Sequence, residues 1–425
     1  MPDISGPRNP FDDPDLRRRI FYTLGALAIF RVGAFIPLPG VDAGALKALV
    51  DAQSGGPLGF LDAFSGGALG RFSLFSLSVV PYVNASIIAG LLKRGRGRQE
   101  QNGVARRLTL FLALLQSFGL ALVIAKMPAP GGIPVVADPD WFFYGATTLT
   151  LTAGALFAMW LCEEITESGI GGGALLIVFA GLVGSVLSGA GNLFRLVRFE
   201  EVGLFAALAI VAALIAAVLA AVWIETAQRK LTVHYSQRVV GRRMYGGSQS
   251  VLPLKLDQSG VVAAISAAAF TASLAALMLA AARLFPQNPI GRRIPSMLIR
   301  GSWIDGAIYA ALIIFFCSFS GSRTIDPNEL ADNLKKSGGS IPGIRPGDST
   351  ARRIQWIHER VALGGALLVA AIAVLPDLLR RSFHLTFFFD GIRLLIVVGA
   401  ALDAMGRIES YGMMRTYAKF LKERA

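Results

Sequence analysis

Ten apolar runs divide this chain, at residues 20–36, 72–92, 108–125, 142–162, 170–189, 203–224, 260–282, 306–319, 361–376 and 392–405. Each approaches the roughly 20 helical residues that cross a bilayer core of about 30 Å. Only 16% of the 425 residues are charged and 54% are hydrophobic, whereas a soluble domain carries about 25% charged residues. Two cysteines exclude a disulfide framework. Residues 1–19 are polar, with Asp12, Asp13 and Asp15 beside Arg17, Arg18 and Arg19. They lack a small-residue cleavage site after a short apolar core, so no cleavable leader is expected.

An even number of spans places both termini on one side. With the N-terminus inside, the inner segments hold 28 of the 41 lysines and arginines and the outer segments 12, with Arg31 inside the first run. Basic residues collect on the cytoplasmic side. The net charge of +13 is therefore read as topological before it is read as a nucleic-acid signal. The expected fold class is an all-α polytopic membrane protein with ten transmembrane helices, N-in and C-in.

Two inner loops, 225–257 and 321–360, are long and rich in Gly, Pro and Arg. A bare connection needs only a few residues. They read either as docking surfaces or as tolerated insertions. The outer segment 54–71 carries a short apolar stretch between glycine breaks, too short to cross. It reads as a re-entrant helix buried in protein or as an interfacial helix.

No P-loop occurs, and Gly171-Gly172-Gly173 follows no strand. His234, His358 and His384 are scattered, and Cys162 and Cys317 sit alone in apolar context. No metal site, cofactor or enzymatic centre is expected. Intramembrane charges would mark an ion relay. Apart from Arg31, and Asp403 near a helix end, the runs offer almost none, which weakens the alternative of a ten-helix secondary transporter. A membrane interaction scaffold is the third reading.

Several stretches resemble the SecY/Sec61-alpha family of protein-conducting channels. They are Ile36-Pro-Leu-Pro-Gly40, Phe64-Ser-Gly-Gly-Ala-Leu69, Pro81-Tyr82, Ala85-Ser-Ile-Ile88, Met159-Trp-Leu161 with Glu163 and Thr166, and Arg238-Val-Val-Gly-Arg-Arg243. Leu252-Pro-Leu-Lys255, Ala331-Asp-Asn-Leu-Lys-Lys-Ser-Gly-Gly339, Ile341-Pro-Gly-Ile-Arg-Pro-Gly347 and Leu394-Leu-Ile-Val-Val398 complete the set, in family order over nearly the whole chain. The Lys-Lys-Ser-Gly-Gly and Ile-Pro-Gly-Ile-Arg-Pro-Gly runs are the most specific.

The resemblance implies two pseudo-symmetric five-helix halves, 20–189 and 190–405, followed by a cytoplasmic tail at 406–425. It implies a pore ring of Val79, Val83, Ala174, Val178, Ile265 and Ile396. Branched aliphatics at such a waist exclude ions by dewetting. Taken singly, each reads first as an ordinary packing or lipid-facing aliphatic; only the resemblance favours the ring. Ala174 departs from the family's large aliphatic and is expected to leave a gap. A plug at about 58–71 would include Phe60, Leu61, Phe64, Ser65, Gly66, Gly67 and Leu69, with Gly55, Gly56 and Gly59 as further hinge positions. A lateral gate between helices 2 and 7 would involve Asn84, Ser86, Gln116, Val262 and Ala263, with Ser73, Ser76 and Ser78 on helix 2.

Ala263 stands where the family has proline, so helix 7 is expected to lose a kink. Gly172 stands where it has asparagine, so the tip between helices 4 and 5 is expected to be looser. The 93–107 loop is shortened and strongly basic. Docking to a motor or ribosome would fall to Arg242, Arg243, Lys335, Lys336 and Arg345. Implied partners are the SecE and SecG subunits, the SecA motor ATPase, the ribosome, precursors with signal sequences, and the lipid bilayer. The implied location is the bacterial cytoplasmic membrane.

Overall fold

The computed structural model describes residues 14–52, 57–92, 98–126, 134–137, 139–198, 203–235, 238–240, 243–245, 249–256, 261–284, 303–324, 326–382 and 391–423. Along the first part run α1 (Pro14–Gly33), α2 (Ala43–Ala52), α3 (Pro57–Phe64), α4 (Val80–Leu92), α5 (Arg98–Lys126), α6 (Trp141–Ser168), α7 (Gly173–Arg198) and α8 (Leu204–Thr226). After these come β1 (Gln228–Tyr235), β2 (Arg238–Val240), β3 (Arg243–Tyr245), β4 (Gln249–Lys255) and α9 (Val261–Leu284). The chain ends with α10 (Trp303–Thr324), α11 (Pro327–Lys336), β5 (Gly339–Ser340), α12 (Asp348–Ser382) and α13 (Gly391–Glu423).

Each apolar run overlaps one of these helices. Among the described residues, 100–126, 141–168, 261–282 and 348–374 are long and apolar enough to cross a membrane. Residues 80–92, 173–184, 211–226 and 306–319 form shorter apolar helices. One continuous buried cluster joins α1, α3, α4, α5, α6, α7, α9, α10, α12 and α13. Outward faces remain apolar too: Phe111, Trp141, Phe142, Leu149, Phe205 and Leu219 are exposed, as lipid contact allows.

Three departures from the sequence reading have local causes. The second span is not helical from residue 72. Residues 65–79 form successive turns, and α4 begins only at Val80. Ser76 Oγ donates to the Ser73 carbonyl at 2.6 Å and to the Ala68 carbonyl at 3.1 Å. Such side-chain bonds compete with a helix. Leu38 N–H donates to the Phe72 carbonyl, and Leu74 N–H to the Ile36 carbonyl. Phe72 and Ser78 take positive φ, 47° and 49°. Non-helical backbone at membrane depth survives only inside protein, and Phe72, Ser73 and 75–80 are all buried.

The tip between α6 and α7 is packed rather than loose. Thr23 Oγ1 accepts from Ile170 N–H at 3.0 Å, and Arg19 Nη1 donates to the Gly169 carbonyl at 3.3 Å. Gly169, Ile170 and Gly171 are buried, and only Gly172 is half-buried. Thr166 Oγ1 accepts from Gly173 N–H at 2.9 Å, closing the turn. Much of the short 93–107 loop is taken up by α5, which starts at Arg98. Arg106 reaches across to Glu163 on α6 at 2.9 Å.

The third departure is that the fold is mostly helical rather than all-α. The two long loops build one module. β1 pairs antiparallel with β4, from Gln228 opposite Lys255 to His234 opposite Gln249. β5, from the other loop, adds to β1's free edge at His234–Ser340 and Tyr235–Gly339. Period-two alternation of Leu231, Val233 and Tyr235 explains β1. Pro253 is tolerated because β4 lies at the sheet edge. Val233 packs with Leu334 of α11 and Ile354 of α12, while Leu254 packs with Ile357 and Val361. α11 is capped by Asp326, which accepts from Asn328 and Glu329 N–H, with Pro327 in the first turn and Lys335 and Lys336 in the last.

Close approach in the helical body depends on glycine. A Cβ on Gly154 of α6 would overlap the Leu74 carbonyl, and one on Gly33 would overlap the Phe75 ring. Gly145, one helix face away, has nothing within 4 Å. Gly154→Val should therefore destabilise the protein in detergent by about 1–3 kcal/mol or more, read as an earlier thermal midpoint. Gly145→Ala should leave the midpoint unchanged.

Candidate functional site

The residues expected to form a ring come from four places in the chain and belong to, or pack against, the same buried cluster. Val79 immediately precedes α4, and Val83 follows one turn later, its N–H donating to the Val79 carbonyl at 3.0 Å. Ala174 and Val178 stand one turn apart on α7, so they share a face. Ile265 lies on α9 and Ile396 on α13. Val79, Val83, Val178, Ile265 and Ile396 are all buried. Ala174 packs against the cluster but is only half-buried.

Beside them lies the 57–71 segment. α3 packs against α7 and α9, which carry Val178 and Ile265. Leu58, Leu61, Phe64, Ser65, Gly66 and Leu69 are buried. Phe60 lies within α3, with its side chain outside the described residues, as are Gly55 and Gly56. The turn after α3 is knitted to itself. Ser65 Oγ donates to the Asp62 carbonyl at 3.0 Å and accepts from Leu69 N–H at 3.2 Å. Asp62 Oδ1 accepts from Gly70 N–H at 2.6 Å. Gly66 and Gly67 take φ of +70° and +83°, a region that glycine enters at little cost. A contact unforeseen from the sequence is that of Arg31 of α1, whose Nη1 donates to the Gly66 carbonyl at 2.9 Å.

α4 and α9 meet along a seam with a polar link. Asn84 Nδ2 donates to Ser273 Oγ at 2.6 Å and to the Ala269 carbonyl at 3.3 Å. Ser273 was not among the expected gate residues, because its pairing with Asn84 is visible only once α9 is placed. Ser86 faces outward and returns its hydroxyl to the Val83 carbonyl. Gln116 of α5 is buried, Ala263 is buried and Val262 is exposed. Ala263 is the third residue of α9, in its first turn.

The expected docking residues divide. Lys335 and Lys336 are exposed at the end of α11, and Arg345 is exposed in the following turn. That turn is fixed by Thr350 Oγ1 donating to the Arg345 carbonyl at 3.0 Å and by positive φ at Gly343 and Gly347. Arg242 lies outside the described residues; Arg243 lies in β3, its side chain outside them. Sequence reasoning missed Arg353 and Arg360, which flank exposed Trp356 at 4.7 and 3.7 Å from its ring centre.

The family model for SecY matches residues 73–405. The protein translocase subunit SecY of Aquifex aeolicus is 37% identical over 425 residues, covering 97% of this chain and 98% of that protein. The chain belongs to the SecY family. Two solved structures share the fold. One is described as the plug domain of the SecY protein stabilising the closed state of the translocation channel and maintaining a membrane seal; it has a TM-score of 0.67 at 17% identity and covers 96% of this chain and 95% of that one. The other is described as Sec61 in the canine ribosome–channel complex from the endoplasmic reticulum, with a TM-score of 0.63 at 15% identity and coverage of 96% and 95%.

For a SecY-family chain, the Asn84–Ser273 bond has a definite weight. Interhelical hydrogen bonds in membranes are worth ~0.6–2 kcal/mol. A double-mutant cycle with Asn84→Ala and Ser273→Ala should give a coupling in that range by thermal unfolding of the purified protein. A coupling near zero would remove this pair as an α4–α9 fastener.

Proposed function

We propose that the chain is the pore-forming subunit of a Sec translocon, a gated passive channel for unfolded secretory polypeptide. The observation that supports this reading is that Val79, Val83, Val178, Ile265 and Ile396 are all buried in the one apolar core, with α3 packed on two of the helices that supply them. Branched aliphatics can part for a chain and close without leaving a wet path. In this reading the ten apolar helices cross the membrane as two five-helix halves with both termini cytoplasmic. Residues 57–71 plug the outer side, and α4 and α9 part sideways to release transmembrane segments into lipid.

The protein would sit in the bacterial cytoplasmic membrane, clamped by SecE and accompanied by SecG. Energy would come from the SecA motor or from the ribosome. The module of β1, β4, β5 and α11 gives such a partner a firm surface, since the turn bearing Arg345 is fixed at both ends. Arginine suits either partner, because it pairs with carboxylate and phosphate alike.

The test is replacement of a bacterium's own pore subunit by this chain. Export of a signal-bearing reporter should be restored. Arg345→Glu should lower motor-driven export on the order of tenfold or more, as loss of an interfacial charge pair does, with membrane levels of the chain unchanged. Full export by that variant would remove Arg345 from the docking surface. Failure of the unaltered chain to support any export, when present with its partners, would overturn the channel reading.

A further inference from the structure

Arg31 stands inside an apolar helix, between buried Phe30 and exposed Val32. A charge at that depth is costly unless it faces protein and is paired. Its partner is the Gly66 carbonyl, just past the end of α3. That position lies beyond the C-terminal end of α3, where the helix dipole is negative. A guanidinium is therefore matched to this position by charge as well as by hydrogen bonding.

The surroundings are cut to fit it. A Cβ on Gly184 of α7 would lie 2.5 Å from Arg31 Nη2, and one on Gly181 would lie 3.0 Å from the Phe64 carbonyl. A Cβ on Gly66 would lie 2.5 Å from Arg31 Nη1 and 2.8 Å from Gly181 Cα. α1, the 65–67 turn and α7 thus meet in a slot without space for one methyl group. Farther along the segment, Arg71 lies over the Phe35 ring at 4.0 Å, and Arg31 lies 5.8 Å from the same ring. The segment is held at its turn by Arg31 and near its exit by Arg71.

We infer that Arg31 is the latch of the plug: its bond to the Gly66 carbonyl, seated in the Gly181/Gly184 slot, positions the segment that closes the resting channel. This rests on the plug reading given above. Opening breaks one charge-assisted hydrogen bond, stronger than a neutral one yet single. It also leaves an arginine at membrane depth without its partner, which drives the segment back once the passage empties.

The test is anion efflux from vesicles containing the purified complex with its partner subunits and neither motor nor precursor. Arg31→Gln should raise the resting leak on the order of tenfold, and Arg31→Lys should raise it less. Gly184→Ala keeps the arginine but fills its seat, and should also leak. In a chain lacking residues 57–67, Arg31→Gln should add nothing. A tight Arg31→Gln channel beside a leaky plug-deleted one overturns the latch and leaves the plug reading standing. A leak that Arg31→Gln adds to the deletion also overturns the latch. A tight plug-deleted channel overturns both.

Discussion

Backbone at membrane depth must find its hydrogen-bond partners inside the protein, and residues 65–79 are where this chain meets that demand without a helix. The rest of the centre is arranged around the solution. Ser76 bonds the Ser73 and Ala68 carbonyls. Residues 36–38 pair with 72–74 through two backbone hydrogen bonds, Leu38 N–H to the Phe72 carbonyl and Leu74 N–H to the Ile36 carbonyl. Gly154 admits the Leu74 carbonyl, and Gly33 admits the Phe75 ring. Because these turns end at Val79, α4 begins where Val79 and Val83 share one face. The segment that precedes these turns, α3, packs against α7 and α9.

Closure and opening then concern different kinds of force. The apolar cluster is extensive and non-directional, and by itself it fixes no one arrangement of the segments it joins. The polar links at these contacts are discrete: Asn84 to Ser273 between α4 and α9, and Arg31 to Gly66 between α1 and the turn after α3. A channel with many such bonds across its seams would not open for a signal sequence; one with none would not return to a defined closed state. Arg31 also answers the transporter alternative. The charge within the first apolar run, which would have marked an ion site, donates to the Gly66 carbonyl.

The helical body was legible in the sequence because apolar length is a strong signal, and all ten runs overlap helices. The start of α4 was not, because hydropathy cannot distinguish an apolar turn from an apolar helix. Its cause lies in hydrogen bonds of Ser73 and Ser76 that are local in space. The β1–β4–β5 module was written in the alternation of Leu231, Val233 and Tyr235, but 225–257 and 321–360 could not be joined without the long-range pairing of β1 with β5. Ring and plug positions came from family resemblance, since a buried valine carries no mark of its role. Gly172 misled in the opposite direction. Its own position has room, and the tip around it is held by Thr23 and Arg19 from another helix.

Site-specific crosslinking tests the central claim, that polypeptide passes through the buried aliphatic waist. Photo-crosslinkers would be placed one at a time at Val79, at Ile265 and at Phe205, which is 88% exposed on α8. An arrested secretory chain would then be presented to the complex in membranes. The account predicts adducts from Val79 and Ile265 that vanish when the signal sequence is deleted, and none from Phe205. Adducts absent from both waist positions in a folded complex, or equally strong from Phe205, would contradict it.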